Sequence, residues 1–566
     1  MKKNIKTYGI AFVIVAIYAF VKLPVLRLDF ISCISVLIIF FGLAGVLDMM
    51  FDRGEKTSKI AKYNFSIAII LIVYSIAAPF VTSSSMLHSK AYRNLLGKVT
   101  ESEFSKDVSP VSVNEIRLVD EAMAMKLGDK KLGEDPALGS VSKLGEFHIQ
   151  SVNGELYWIS PLVHRGIIKW ATSTEGTNGY VMVSASNPQE VKLVQKIDGK
   201  PVKIVYQPEA YLLQDLHRHM YINGIVNVGM TEFSLEINDE GRPYWVTSLY
   251  DHKIGYSGAN AVGVATVDAE SGETKRYSIK DAPTWIDRIQ PEEFIVNQIS
   301  SWGLYIKGFL NSVISEEGVL VPTEGTSLVY GKDNKSYWYT GITSSGGDES
   351  TIGFMLVDTR TKEAKLYKQP GATEIAAMRS AEGKVQEKNY EATFPVMYNI
   401  VGKPTYVSSL KDKAGLVKMV AFVSVEDFSV LGLGETKEEA LRNYREILSS
   451  KGNNIKIEND ESIEIVEGTI VRISPDVKSG NTFYYMTIDT DESIIFNATS
   501  KTSTELPLTV IGDKVKISYQ KGEKDFVDVV EFDNLSLGQI NATNKQEETA
   551  PAKIEETKES VENTNQ

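Results

Sequence analysis

The chain reads as an α+β protein: three N-terminal transmembrane helices, four tandem modules of a helix plus an antiparallel sheet, a small C-terminal β-barrel and a disordered tail. Three observations predict this. Three long apolar runs open the chain. A seven-residue pattern with an aromatic centre then returns four times. Beyond residue 460, short β-branched and aromatic runs alternate with Gly, Asp, Asn and Ser turns.

A chain of 566 residues exceeds what one hydrophobic core organises, so several domains are expected. The net charge of −13 is uneven. Residues 1–84 carry nine Lys/Arg against four Asp/Glu, leaving 51 against 69 for the rest. An acidic body argues against nucleic acid and against anionic lipid as its partners. The single cysteine, Cys33, lies in an apolar run, which excludes a disulfide, a cysteine zinc site or a catalytic thiol in the body.

The anchor comes first, over 1–84. Tyr8 to Val21 (continuing through Lys22 to Leu26), Phe30 to Leu47 and Phe65 to Val81 are each able to cross about 30 Å of hydrocarbon. Three spans in tandem do not resemble a cleaved signal peptide. Lys2, Lys3 and Lys6 precede the first span, and Arg53, Lys56, Lys59 and Lys62 fill the second loop. Only Lys22 and Arg27 mark the first. The positive-inside rule predicts a cell-membrane protein with a cytoplasmic N-terminus and a large extracytoplasmic C-terminal region.

Residues 85–111 are polar and read as a stalk. The modules are expected at 112–196, 205–280, 290–369 and 372–450. Their strands carry Tyr157-Trp158, Tyr244-Trp245, Tyr337-Trp338 and Thr405-Tyr406, each followed by alternating hydroxyl and apolar residues. In the first module Ile116, Val119, Met123 and Leu127 predict a helix stopping near Gly133, and Asn153-Gly154 predicts a hairpin turn. In the second, Pro208 opens a short helix through Leu212, Leu213 and Leu216. In the third, Pro291 starts a helix with a stripe of Ile295, Ile299, Trp302, Ile306 and Phe309. The fourth has a helix near Thr373 to Met378 and closes with one capped by Thr436 and Glu439. Five strands within 463–535 suggest an OB-like barrel, and residues 540–566 lack large apolar groups and read as disordered.

A helix, a hairpin and then Val267-Asp268-Ala269 with Gly272-Glu273 resembles the PepSY fold of exported bacterial proteins. Val357-Asp358-Thr359 matches it in part. The stretch 112–450 also resembles membrane-anchored proteins of Gram-positive bacteria. The resemblance implies an architecture and an extracytoplasmic, cell-envelope compartment. It implies no catalytic residue.

Two groups of residues are site candidates. Tyr157, Trp158, Tyr244, Trp245, Tyr337, Trp338 and Tyr406 would form a partner-binding array if one ring of each pair faced outward. His217, His219, Asp251 and His252 have the residue types of a zinc site. On a helix, however, positions two apart diverge by roughly 200°. Asp268 and Asp358, each beginning a turn, fit backbone hydrogen bonding better than calcium. No cofactor is expected, and no phosphate loop or hydrolase motif occurs.

The function expected is a membrane-anchored extracytoplasmic binding or scaffold protein of the bacterial envelope. It would present its modules to a protein or cell-wall polymer, with self-association through sheet edges as one form. The alternatives are an envelope hydrolase or metal-dependent enzyme at His217/His219, and an inhibitor or folding module for an exported protease.

Overall fold

The computed structural model describes residues 2–51, 59–111, 113–231, 233–331, 335–346, 350–450, 463–478, 481–500, 502–520 and 526–537. The tail expected from 540 lies outside them. The chain divides into two compact units, Met1–Leu448 and Ser449–Gln566.

Three helices, Lys2–Lys22, Ile31–Phe51 and Lys59–Thr82, are long and apolar enough to cross a membrane. The four modules follow as four antiparallel sheets of one design. In each, the strand bearing the repeat is central: Glu155–His164, Pro243–Ile254, Ser336–Ser344 and Lys403–Lys411. On one side it pairs with two short strands; on the other it pairs with the next long strand (Gly353–Asp358 in the third module), which in turn pairs with another downstream. The register repeats as well. Trp158 faces Val183, Trp245 faces Val267, Trp338 faces Val357 and Tyr406 faces Val423. The Asn153-Gly154 turn forms as expected, with φ of 54° and 86°, the left-handed pair that a tight hairpin needs.

The helices Glu121–Gly133, Leu216–Ile222, Glu292–Leu304 and Glu374–Lys384 cover the sheets. Three begin or end differently from expectation. Ile116 and Val119 precede the first, which starts where the Asp120 carboxylate accepts the Met123 N–H at 2.9 Å. The second starts at Leu216, where the Asp215 carboxylate accepts the Arg218 N–H at 2.8 Å, so Pro208 does not open it and Leu212 and Leu213 lie in a separate short turn ahead of it. The third ends at Leu304; Gly308, at φ 85°, begins a separate helix, Phe309–Ile314, so both Ile306, in the turn between, and Phe309 leave the stripe.

Residues 85–111 are not a stalk. Ser85–Arg93 is helical and packs on Glu292–Leu304, while Val99–Glu101 adds a parallel strand to the third sheet beside Ala364–Tyr367. A polar strand at a sheet edge needs only backbone partners, so its composition hides it.

The modules share cores. Tyr157, Ile159 and Met182 of the first sheet meet Leu216 and Met220 on the second module's helix, which is backed by Trp245, Leu249 and Val267. Tyr339, Phe354 and Leu356 of the third sheet meet Ala377 and Ala381 on the fourth module's helix in the same way, backed by Tyr406, Leu410 and Val423. The Trp338 face of the third sheet packs on Ile295 and Ile299, and also against Ile149 and Ala185 of the first module. Continuous apolar contact of this kind joins the four modules into one body.

The second unit is a closed five-stranded barrel. In chain order its strands are Ile463–Lys478, Asn481–Ile488, Asp491–Thr499, Lys514–Gln520 and Phe526–Asn534. Around the barrel they run first, second, third, fifth, fourth, with the third and fifth parallel. Phe496, Ile488, Ile517 and Val515 fill it.

Candidate functional site

None of the seven repeat rings is exposed. Tyr157, Trp245, Trp338 and Tyr406 are buried, while Trp158, Tyr244 and Tyr337 are half-buried. The alternation of a strand is present, with one ring of each pair buried and the other only partly open to solvent, so no ring stands free as a stacking platform. The Trp position acts instead as a clamp. The indole N–H of Trp158 donates to the Val119 carbonyl at 2.8 Å, Trp338 to Gln290 at 2.8 Å and Trp245 to Tyr206 at 2.7 Å. In the fourth module the Tyr406 hydroxyl donates to the Ala372 carbonyl at 3.3 Å. In the first, third and fourth modules that carbonyl lies two residues ahead of the module's helix. In those three modules the repeat aromatic thus satisfies a helix-entry carbonyl, and in the second Trp245 satisfies a carbonyl in the loop ahead of the helix.

The histidines do not form a metal centre. His217 and His219 lie on the helix Leu216–Ile222 and point apart. His217 meets the Phe233 ring edge-on at 4.6 Å, while a ring nitrogen of His219 sits 2.8 Å from the Gly272 carbonyl. His252 stacks on Phe30 at 4.4 Å, with Nδ1 3.0 Å from the Asp29 carbonyl. The Asp251 carboxylate accepts from Lys253 at 3.1 Å. Among the described residues no group of three His, Cys, Asp or Glu is placed to hold a metal ion. The Asp268 carboxylate accepts the Glu270 and Ser271 N–H groups, and Asp358 those of Arg360 and Thr361, as turn residues do.

Of these residues His252 docks the anchor. Phe30 and Asp29 lie in the loop between the first two apolar helices. Beside them Tyr221 donates to the Pro24 carbonyl at 2.8 Å and Arg218 to that of Phe20 at 3.2 Å. At the end of the third helix, Ser83 accepts the Tyr256 N–H at 2.8 Å. The second module therefore sits on both ends of the anchor that face the body.

The opposite end of that module opens a cleft of about 560 Å³. Its walls are turns from three modules: Ser151 to Gly154 of the first, Asp239 of the second, and Lys335-Ser336 with Asp358 to Arg360 of the third. The linker Thr284, Trp285 and Asp287 forms its back. This linker is held firmly. Arg360 donates to the carbonyls of Ala282 and Pro283, both at 2.8 Å, and also to Ile286. Gln150 donates to the Trp285 carbonyl at 3.0 Å, and the Trp285 ring leans on Tyr244 at 5.2 Å. Asp287 accepts the Ser151 N–H at 2.7 Å and the Tyr330 hydroxyl at 3.2 Å.

Burial raises the Asp287 carboxyl above its usual range against those donors and the Arg288 charge. Behind it Glu236 is fully buried. Loss of water raises its carboxyl to about 7, with Asp287 adding to the shift and Arg288 opposing it. The cleft thus combines one indole, three carboxylates, the hydroxyls of Ser151 and Thr284, and the Lys335 ammonium, while the buried Ser336 and Thr359 hydroxyls bond the Asp287 carbonyl. Such a set can hydrogen-bond a polar chain and stack against a ring. Among the described residues that line it, no Ser or Thr hydroxyl is hydrogen-bonded to a His, Lys or carboxylate side chain.

No protein-family model matches the chain, and no curated protein does. Among solved structures, a B. megaterium levansucrase mutant matches at 10% identity and a TM-score of 0.18, over 74% of this chain and 96% of that one. A sialidase matches at 10% identity and 0.13, over 77% and 49%. Likeness at that level carries no argument about fold or activity.

Proposed function

We propose that the protein is a membrane-anchored, extracytoplasmic binding protein of the bacterial cell envelope, with the three-module cleft as its binding site. The observation that carries this is the convergence of turns from three modules on one polar cleft around Trp285. Loops displayed on a rigid scaffold are where recognition concentrates. Its chemistry favours a hydroxyl-rich wall polymer, because an indole face with carboxylates and hydroxyls suits sugar rings. The shared sheet order supports the PepSY-like reading of the modules, and the barrel's strand order supports the OB-like one.

The test is co-sedimentation of the detergent-solubilised full chain with purified Gram-positive wall sacculi. Trp285→Ala and Asp239→Asn should each lower the bound fraction at least fivefold. Equal binding by the variants, or none by the wild type, overturns the reading. Capture of a defined protein by a photocrosslinker at position 239 would replace the polymer with a protein partner.

A further inference from the structure

We infer that the body rests on the bilayer through two apolar footings, one beside each body-facing end of the anchor. This goes beyond the binding-protein reading and rests only on the part of it that puts the three apolar helices across a membrane.

The first footing joins two segments. The short helix Ile167–Thr172 exposes Ile167 and Ile168, the latter 74% accessible. Leu212 and Leu213, both 61% accessible, lie alongside. Trp170 ties the segments together: its ring is 5.3 Å from Tyr211, and its N–H donates to the Gln214 side chain at 2.6 Å. Arg218 then connects the patch to the membrane anchor. Its guanidinium donates to the Leu212 carbonyl at 2.7 Å and to the Phe20 carbonyl at 3.2 Å, and lies 4.7 Å from the Phe20 ring. Phe20 is in the last turn of the first apolar helix.

The second footing lies at the end of the third apolar helix. The helix Phe309–Ile314 exposes Leu310, Val313 and Ile314, the last 77% accessible. It packs beside Ser85–Arg93, which exposes Met86 and Leu87 shortly after the spanning helix ends at Thr82. Tyr92 donates to the Ser83 carbonyl at 2.7 Å, which fixes this helix to the anchor.

Apolar side chains grouped on helices are costly to leave in water, and a soluble face rarely keeps them. Here the hydrocarbon boundary is reached within a turn or two of each patch, so lipid is the occupant continuous with an interface already made. Trp170 and Tyr211 are the residue types that favour the headgroup level, and Lys22, Lys169 and Lys90 can snorkel there. Interfacial helices gain binding from the apolar area they bury, a term that does not depend on the charge of the body. Two footings beside different helices on the body-facing side of the anchor would also stop the body from tilting.

The test uses the full chain in phosphatidylcholine nanodiscs, with Cys33→Ser as background. A single nitroxide is placed at Ile168→Cys, Ile314→Cys, Ile70→Cys in the third helix, or Glu240→Cys in the turn at the far end of the Pro243–Ile254 strand. Collision with oxygen is compared with collision with a water-soluble nickel chelate. The ratio at 168 and 314 should rise several-fold over that at 240 and stay below that at 70. If 168 and 314 match 240 while 70 reads lipid, the footings are wrong and the anchor stands. If 70 also reads water, the anchor reading fails with them. Shielding of 168 and 314 from both reagents, with or without dipolar broadening between copies, assigns the patches to protein and overturns the lipid assignment.

Discussion

The hydroxyls of Tyr339 and Tyr406 meet at 2.7 Å in the core between the third and fourth sheets, where both side chains are almost completely buried. Tyr406 occupies the repeat position, and Tyr339 points from the other face of its sheet. Removing either hydroxyl leaves the other's best partner missing without water to replace it. Tyr339→Phe and Tyr406→Phe should each cost about 1–3 kcal/mol, and the double variant less than their sum. Urea unfolding of the four proteins tests this. Strict additivity would mean the pair is not coupled.

The clamp predicts a cost at each indole. Trp245→Phe keeps an aromatic ring but orphans the Tyr206 carbonyl and opens a gap, for a loss of roughly 2–4 kcal/mol. Alanine at Trp158, Trp245 and Trp338 together should abolish the folded body. Limited proteolysis and near-ultraviolet circular dichroism read this directly. A triple variant as resistant as wild type would contradict a structural role.

Glu236 gives stability a pH signature. Its folded-state carboxyl titrates at about 7, above the ordinary 4.5 expected when unfolded. The native protein therefore holds a proton that the unfolded chain releases between these values. The contribution is fully present below 4.5 and is lost as pH rises through 7. Glu236→Gln should match wild type near pH 4.5 and exceed it in melting temperature at pH 8. The reverse order at pH 8 would rule out a protonated native Glu236.

Arg360 holds three linker carbonyls with one planar fork. Lysine cannot reproduce that geometry. Arg360→Lys should speed amide exchange across residues 279–290 by about tenfold or more while leaving the fourth sheet unchanged. Unchanged exchange in the linker would show that Gln150 and Asp287 hold it alone.

Much of this was legible in the sequence, for reasons specific to each element. Asn153-Gly154 states its own turn, and the three anchor runs state their length. Even the degenerate fourth repeat, Pro404-Thr405-Tyr406, falls in the register of the other three. The rest depends on contacts between distant segments. Thr100 bonds Ala364 across 264 residues, and nothing in a short polar segment announces such a partner. Trp285 and Asp239 each look like ordinary linker and turn residues. Only the packing of the first, second and third modules brings them to one cleft. The aromatic pairs misled because alternation tells which ring turns which way, and says nothing about whether a second layer covers it.

The strand Pro243–Ile254 leads from the Asn238–Gly241 turn, where Asp239 lines the cleft, to the Gly255-Tyr256 turn at Ser83. Twelve extended residues span roughly 40 Å. A single β-strand therefore serves as a gauge rod, setting the cleft at one standing height above the anchor. Lengthening or shortening it by a residue pair would change the distance from the anchor to the cleft without altering the cleft itself.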